Sequence, residues 1–213
     1  MERRDDIATN SAARALVYDA LVARAQACRL CSRMEGRRRV LGAGNGPLDA
    51  RVLFVAEAPG RLGGDKTGAP LVSDQSGRNF ARLLDAAGWR RDEVFVSNAI
   101  LCNPRDAQGR NDAPARVEIR NCSAHLRDLL AILDPPYVAA LGRVALDALS
   151  LIAPHAIELR RDVATGVPWA GRTLVPLYHP GPRAQLHRPF IQQQEDFVQL
   201  RALVTRSGQL DKE

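Results

Sequence analysis

With 213 residues, 46% of them hydrophobic and 25% charged, the chain is long enough to bury one sizeable core and too short for two comfortable domains. No apolar run approaches the roughly 18 residues that span a bilayer, and the N-terminal stretch MERRDDIATNSAARALVYDALVARAQ mixes both charge signs at helical spacing, unlike a signal peptide. A formal charge of +6 and a pI near 9.7 favour a polyanionic partner such as nucleic acid; the same surplus of Arg and Ala is what a GC-rich genome writes without selection for binding, so charge supports a DNA partner and does not found one.

After the N-terminal helical stretch comes a C-x-x-C pair and an Arg-rich loop at residues 37–40. Short, nearly continuous apolar runs then recur at residues 51–56 (RVLFVA), 94–99 (VFVSNA), 137–141 (YVAAL) and 173–178 (TLVPLY). Such runs read as strands buried on both faces of a parallel sheet. Helical patterns separate them at residues 77–87, stopped by Gly88, and at 115–133 and 143–151. From Phe190 onward the chain reads as a closing helix and a polar tail. The expectation is one α/β domain over residues 1–213, a three-layer α/β/α sandwich on a central four-stranded parallel sheet, with the first helix and the tail peripheral. A soluble, cytoplasmic monomer is expected, without a membrane partner and nucleoid-associated when acting on DNA.

Cys28 and Cys31 can grip one metal centre from a single turn, whereas Cys102 and Cys122 must converge through folding. Four thiolates suit a tetrahedral zinc or a four-iron cluster, and spacing does not separate the two. Unrelated free thiols and disulfides are the plainer alternatives. A thioredoxin-like role would place C-x-x-C just after a strand, but here it follows a helix.

In a parallel sheet, ligands sit beyond the carboxyl ends of the strands. After the first strand stands Glu57-Ala58-Pro59-Gly60, followed by the glycine-rich residues 63–68, which lack the ending of a phosphate-binding loop. Glu57 at the tip of a buried strand is costly unless it is solvated or used, so it is a candidate general base beside the plainer reading of a loop cap. Asp74, just before a helix starting near Ser76, reads as a cap. Asn98 at the end of the second strand offers donor and acceptor together, as reading a pyrimidine edge requires, or else serves a turn. His179 follows the last strand in Tyr178-His179-Pro180-Gly181-Pro182, stiffened by two prolines. His125, His155 and His187 have no partner motif and read as surface residues.

In order, C-x-x-C, VAEAPG at 55–60, a glycine loop, RNFARLLDAAG feeding VFVSNAILCNP, a fourth cysteine in a helix and YHPGP resemble the uracil-DNA glycosylase superfamily, specifically its cluster-bearing families 4 and 5. The resemblance covers the chain from about Cys28 to the closing helix. It implies a 4Fe-4S cluster, rather than zinc, on Cys28, Cys31, Cys102 and Cys122. It also implies excision of uracil, and of other deaminated bases where the chain follows family 5, from DNA to leave an abasic site. By position, Glu57 matches the acid that handles water, Asn98 the reader of uracil, and His179 the support for the departing anion. The backbone of Ala58, Pro59 and Gly60 would line the base pocket. The segment from Arg183 to Arg188 matches a loop that enters the minor groove. Residues 63–77 look more like family 5, with its aspartate at Asp74, so this chain carries both candidate acids. Leu71 stands where both families commonly place a stacking Phe.

On this reading Glu57 or Asp74 orients water and stabilises an oxocarbenium-like sugar, Glu57 being the better motif match. Leu71 holds the ring, and His179 stabilises the leaving base. Arg37, Arg38 and Arg39 form a candidate phosphate patch, with a solvated charge run as the plain alternative. Hydrolysis needs no electrons, so the cluster would pin the N-terminal segment to the sheet. The rivals are a damage-binding module without catalysis and a zinc-stabilised hydrolase of another substrate.

Overall fold

The computed structural model describes residues 2–210, and side chains within 11–206. Met1 and residues 211–213, which close the expected tail, lie outside the described residues. The strands are β1 (Val52–Ala56), β2 (Phe95–Asn98), β3 (Tyr137–Leu141), β4 (Val167–Trp169) and β5 (Arg172–Leu177). The helices are α1 (Glu2–Ala27), α2 (Gly64–Thr67), α3 (Gln75–Ala86), α4 (Arg116–Leu133), α5 (Arg143–Ser150), α6 (Leu159–Asp162) and α7 (Phe190–Leu210). None is long and apolar enough to cross a membrane among the described residues.

The sheet runs β2-β1-β3-β5-β4. Its first four strands are parallel, as expected; β4 is a fifth, antiparallel to β5, and corrects the four-strand expectation. Three residues with Pro168 in the middle give little periodicity to read, and a residue without an N–H belongs at a sheet edge. The β4–β5 turn is Ala170-Gly171, both at positive φ (47° and 76°), the tight hairpin geometry that matches strand twist.

Alternation along the strands makes the three layers. Val52, Phe54 and Ala56 face one side, where α3 and α7 cover them with Phe80, Leu83, Phe197 and Leu200. Leu53 and Val55 face the other, covered by α1, α4 and α5 through Leu21, Leu126, Leu129, Leu146 and Leu149. Phe54 anchors the first side, edge-on to Phe80 and Trp89 and stacked on Phe197 at 5.6 Å. Truncating such a ring to Ala costs about 3–5 kcal/mol. His125 is a correction: it lies buried on the inner face of α4, not at the surface, because the helical period places it beside Leu126 and Leu129. Burial lowers its pKa.

With four strands parallel, Glu57, Asn98, Gly142 and His179 all emerge at one edge. Strand order reverses there between β1 and β3, the usual place for a ligand crevice.

Candidate active site

A cleft of about 570 Å³ opens at that edge, within the roughly 300–1,000 Å³ of small-molecule sites. It is lined by Glu57, Ala58, Pro59, Gly60, Leu71, Asp74, His179 and Arg183, so eight sequence candidates share one wall system.

His179 is held from two sides. The Gly181 backbone N–H donates to its Nδ1 at 3.0 Å, and buried Asn79 on α3 donates to the Pro180 carbonyl at 2.7 Å. A Cβ on Gly181 would meet Nδ1 at 2.9 Å, so glycine is what lets the loop close on the ring. Because Nδ1 accepts, the neutral ring carries its proton on Nε2. Burial pushes the imidazole pKa down to about 4, with the Asp74 charge opposing. His179 is therefore a neutral donor at physiological pH.

Glu57 is half-buried at the end of β1, and burial raises its carboxyl pKa while Arg143, at the start of α5, opposes the rise. Burial is the common cause of both shifts: it disfavours the charged form of each group, raising the carboxyl and lowering the imidazole. Asp74 caps α3, its Oδ1 accepting from Gly77 N–H at 2.8 Å. Its Oδ2 packs into a notch at Gly60, where a Cβ would lie 2.5 Å away. The carboxylate that faces the cleft is thus also structural.

Asn98 does not line the cleft. It pairs in register with Ala56, immediately before Glu57, and is 2% exposed with Nδ2 lacking a hydrogen-bond partner among the described residues. A buried amide donor without a partner is costly, about 1–3 kcal/mol, and calls for a ligand or water. Leu71 lines the wall at φ 52°, a left-handed backbone that leucine rarely adopts, with Ser73 nearby at 68°.

Cys28, Cys31, Cys102 and Cys122 are all free and line a second cavity with Arg39, Ile100 and Leu101. Two donors reach sulfur: Leu101 N–H to Cys122 Sγ at 3.3 Å and Asn121 Nδ2 to Cys31 Sγ at 3.5 Å. Burial pushes the Cys102 thiol up to about 11 and Cys122 up to about 12, so both keep their protons near neutrality unless a positive centre replaces them. No three His, Cys, Asp or Glu side chains close into a single-ion site among the described residues.

Of the arginine triplet, Arg39 turns inward, donating to the Cys28 carbonyl at 2.7 Å and the Arg37 carbonyl at 2.6 Å. Arg38 donates to Asp65, and Arg37 is half-buried. The patch is narrower than three adjacent cations suggest.

The sequence model of the uracil DNA glycosylase superfamily matches residues 43–202. The chain belongs to the uracil-DNA glycosylase superfamily. The match spans Glu57, Asn98 and His179 but begins after Cys28 and Cys31. Relatives within the superfamily include the Type-4 uracil-DNA glycosylase of Thermotoga maritima, 30% identical over 74% of this chain and 78% of that one. The Type-4 enzyme of Pyrobaculum aerophilum is 32% identical over 68% of this chain and 73% of its own. The Type-5 uracil-DNA glycosylase of Thermus thermophilus is 30% identical over 76% and 85%.

Sequence reading did not single out Leu186, 84% exposed in the short 3-10 helix Pro182–Leu186 beside the cleft, nor Arg143 facing Glu57. An apolar residue between Arg183 and Arg188 was the available signal for the first; for the second, only the position after β3.

Proposed function

We propose that this chain hydrolyses the N-glycosidic bond between uracil and deoxyribose in DNA, leaving an abasic site. The observation that carries the proposal is geometric: Glu57 and His179 line one cleft at the strand ends, and Gly181 N–H holds His179 Nδ1 so that Nε2–H is its donor. Superfamily membership supplies the reaction class.

The base leaves the stack at a cost of a few kcal/mol and enters the cleft. Leu71 packs on the ring; Asn98 Nδ2, unpartnered among the described residues but not on the cleft wall, meets the pyrimidine edge only where the base seats beyond that wall. As the glycosidic bond lengthens, negative charge gathers on the base and positive charge on the sugar. His179 Nε2–H donates to the base oxygen, and being neutral it stabilises this charge without first giving up a proton. Glu57, ionised above its raised pKa, orients water and faces the sugar cation. Asp74 holds α3 and the glycine loop in place.

Cys28, Cys31, Cys102 and Cys122 are the residues that would hold a 4Fe-4S cluster. Four thiols line one cavity, and no three of them close on a single ion among the described residues, which suits a multi-atom group better than one tetrahedral zinc. When bound, the cluster supplies crosslinking and charge balance, and no step of the hydrolysis needs its electrons. Arg183 on the cleft wall, with Arg37 and Arg38, would meet phosphates, and exposed Leu186 would enter the duplex where the base was.

The test is a panel of duplex and single-stranded oligonucleotides carrying uracil, hypoxanthine, xanthine or mismatched thymine, scored by alkali cleavage at abasic sites. Uracil excision lost in Glu57→Gln supports the reading; excision at near-normal rate in that variant overturns the assignment. DNA binding without cleavage on any substrate would favour the non-catalytic module.

A further inference from the structure

Asp65 stands in α2, within the glycine-rich stretch that follows the pocket loop, and its carboxylate is a junction of three chain segments. Oδ1 accepts from the Arg38 backbone N–H at 3.1 Å, and Arg38 Nε donates to the Asp65 carbonyl at 3.2 Å. Oδ2 pairs with the Arg105 guanidinium. Arg105 Nε donates to Asn103 Oδ1 at 2.7 Å. Asn103 Nδ2 in turn donates to the Pro59 carbonyl at 2.7 Å and to Asn111 Oδ1 at 3.0 Å. Asn111 Oδ1 also accepts from Arg61 N–H at 2.9 Å, and Asp65 N–H donates to the Gly60 carbonyl at 3.1 Å. Three consecutive residues of the pocket loop, 59 to 61, are thereby held by one network.

The far ends of that network lie on the cysteine-bearing segments. Arg38 follows the C-x-x-C pair, and Asn103 is the next residue after Cys102. The Asp65 side chain is 8% exposed and that of Arg105 21%, so the pair is little screened by solvent. Asn103 lines the cleft, yet its oxygen and its amide are already engaged, so it braces the loop and does not read the base.

We propose that Asp65 is a positioning residue which, through Arg105 and Asn103, sets the backbone of residues 59–61 against both cysteine-bearing segments, so that the seating of the thiols fixes the shape of the base pocket. The inference rests on the uracil-excision reading for its activity readout.

The experiment compares wild type, Asp65→Asn, Asn103→Ala and the double variant Asp65→Asn/Arg105→Met, each as isolated with its metal content measured. Expected in the single variants is a fall in kcat of about tenfold or more with KM changed by less than about threefold, since small misplacements act on the chemical step. Iron per chain and visible absorbance stay at the wild-type level. Amide hydrogen exchange in a peptide covering residues 59–63 speeds up. The double variant, freed of an unpaired buried charge, regains thermal stability but not kcat. Asn103→Ala leaves the ion pair intact and decides the matter if Asp65→Asn does not fold. A kcat within threefold of wild type in a folded single variant overturns the inference, as does a double variant whose kcat returns with its stability. If wild type excises no uracil, the proposed function fails, and exchange at residues 59–63 decides the positioning role alone.

Discussion

His179→Ala removes a single hydrogen bond donor. Nδ1 is engaged by Gly181 N–H, so what the cleft loses is Nε2–H and nothing else that can donate. One preorganised donor aimed at developing charge is worth about 3–4 kcal/mol, or roughly 10²–10³ in kcat. The loss has a second signature. Because burial holds the imidazole pKa at about 4, the ratio of wild type to variant stays flat across neutral and mildly acidic pH. At pH 5.5 an imidazole with that pKa is about 3% protonated, whereas an unperturbed one is about nine-tenths protonated. The assay is single-turnover excision from a duplex with one uracil, at several pH values between about 5.5 and 8.5. A loss below about tenfold would refute the donor role, and a ratio that titrates near pH 6.5 would show that His179 works as an imidazolium. The same depressed value acts on folding: the unfolded chain takes up the proton first, so stability is full above about pH 6.5 and declines as pH falls toward 4.

Asn98→Leu removes a buried donor without a partner, so its Tm should rise by a few degrees, at about 2–4 °C per kcal/mol for a chain of this size, while uracil excision falls; a lower Tm counts against the unpaired-donor account. Glu57 loses activity as pH drops through its raised pKa, and Arg143 opposes that rise. Arg143→Ala should therefore move the acid limb of kcat to higher pH, and an unmoved limb excludes Glu57 as the titrating group. Leu186→Ala should leave stability within about 0.5 kcal/mol of wild type because the side chain is 84% exposed. It should slow excision from duplex several-fold more than from single strands, where no stacked neighbour has to be replaced by an inserted side chain; equal slowing on both would rule out insertion of Leu186.

The four parallel strands were legible because burial on both faces writes continuous apolar runs, and residues 137–141 coincide with β3. β4 was not, since three residues around a proline carry no period. Glu57, His179 and Asp74 were legible as residues that follow strands or precede a helix. Their electrostatics were not, because burial and the opposing charges of Arg143 and Asp74 are tertiary facts. Asp65 gave no signal: its partners Arg38 and Arg105 lie 27 and 40 residues away, and only folding reveals that one carboxylate serves both. Arg39 was misleading for the mirror-image reason, a cation that reads as surface and points at a carbonyl beside Cys28.

The cysteine cavity also orders events in time. Cys28 and Cys31 stand on one side of β1 and β2 in the chain, and Cys102 and Cys122 on the other, so the four cannot meet until the sheet has begun to form and α1 has docked on α4. Parallel strands joined by long crossovers are slow to pair. The cavity is thus a product of long-range folding: the sequence separates its thiols, and only the packed sheet and helices bring them together. Any group that bridges them closes a long loop and then acts as a latch, since restricting a long unfolded loop stabilises by about 4 kcal/mol on the chain-entropy account.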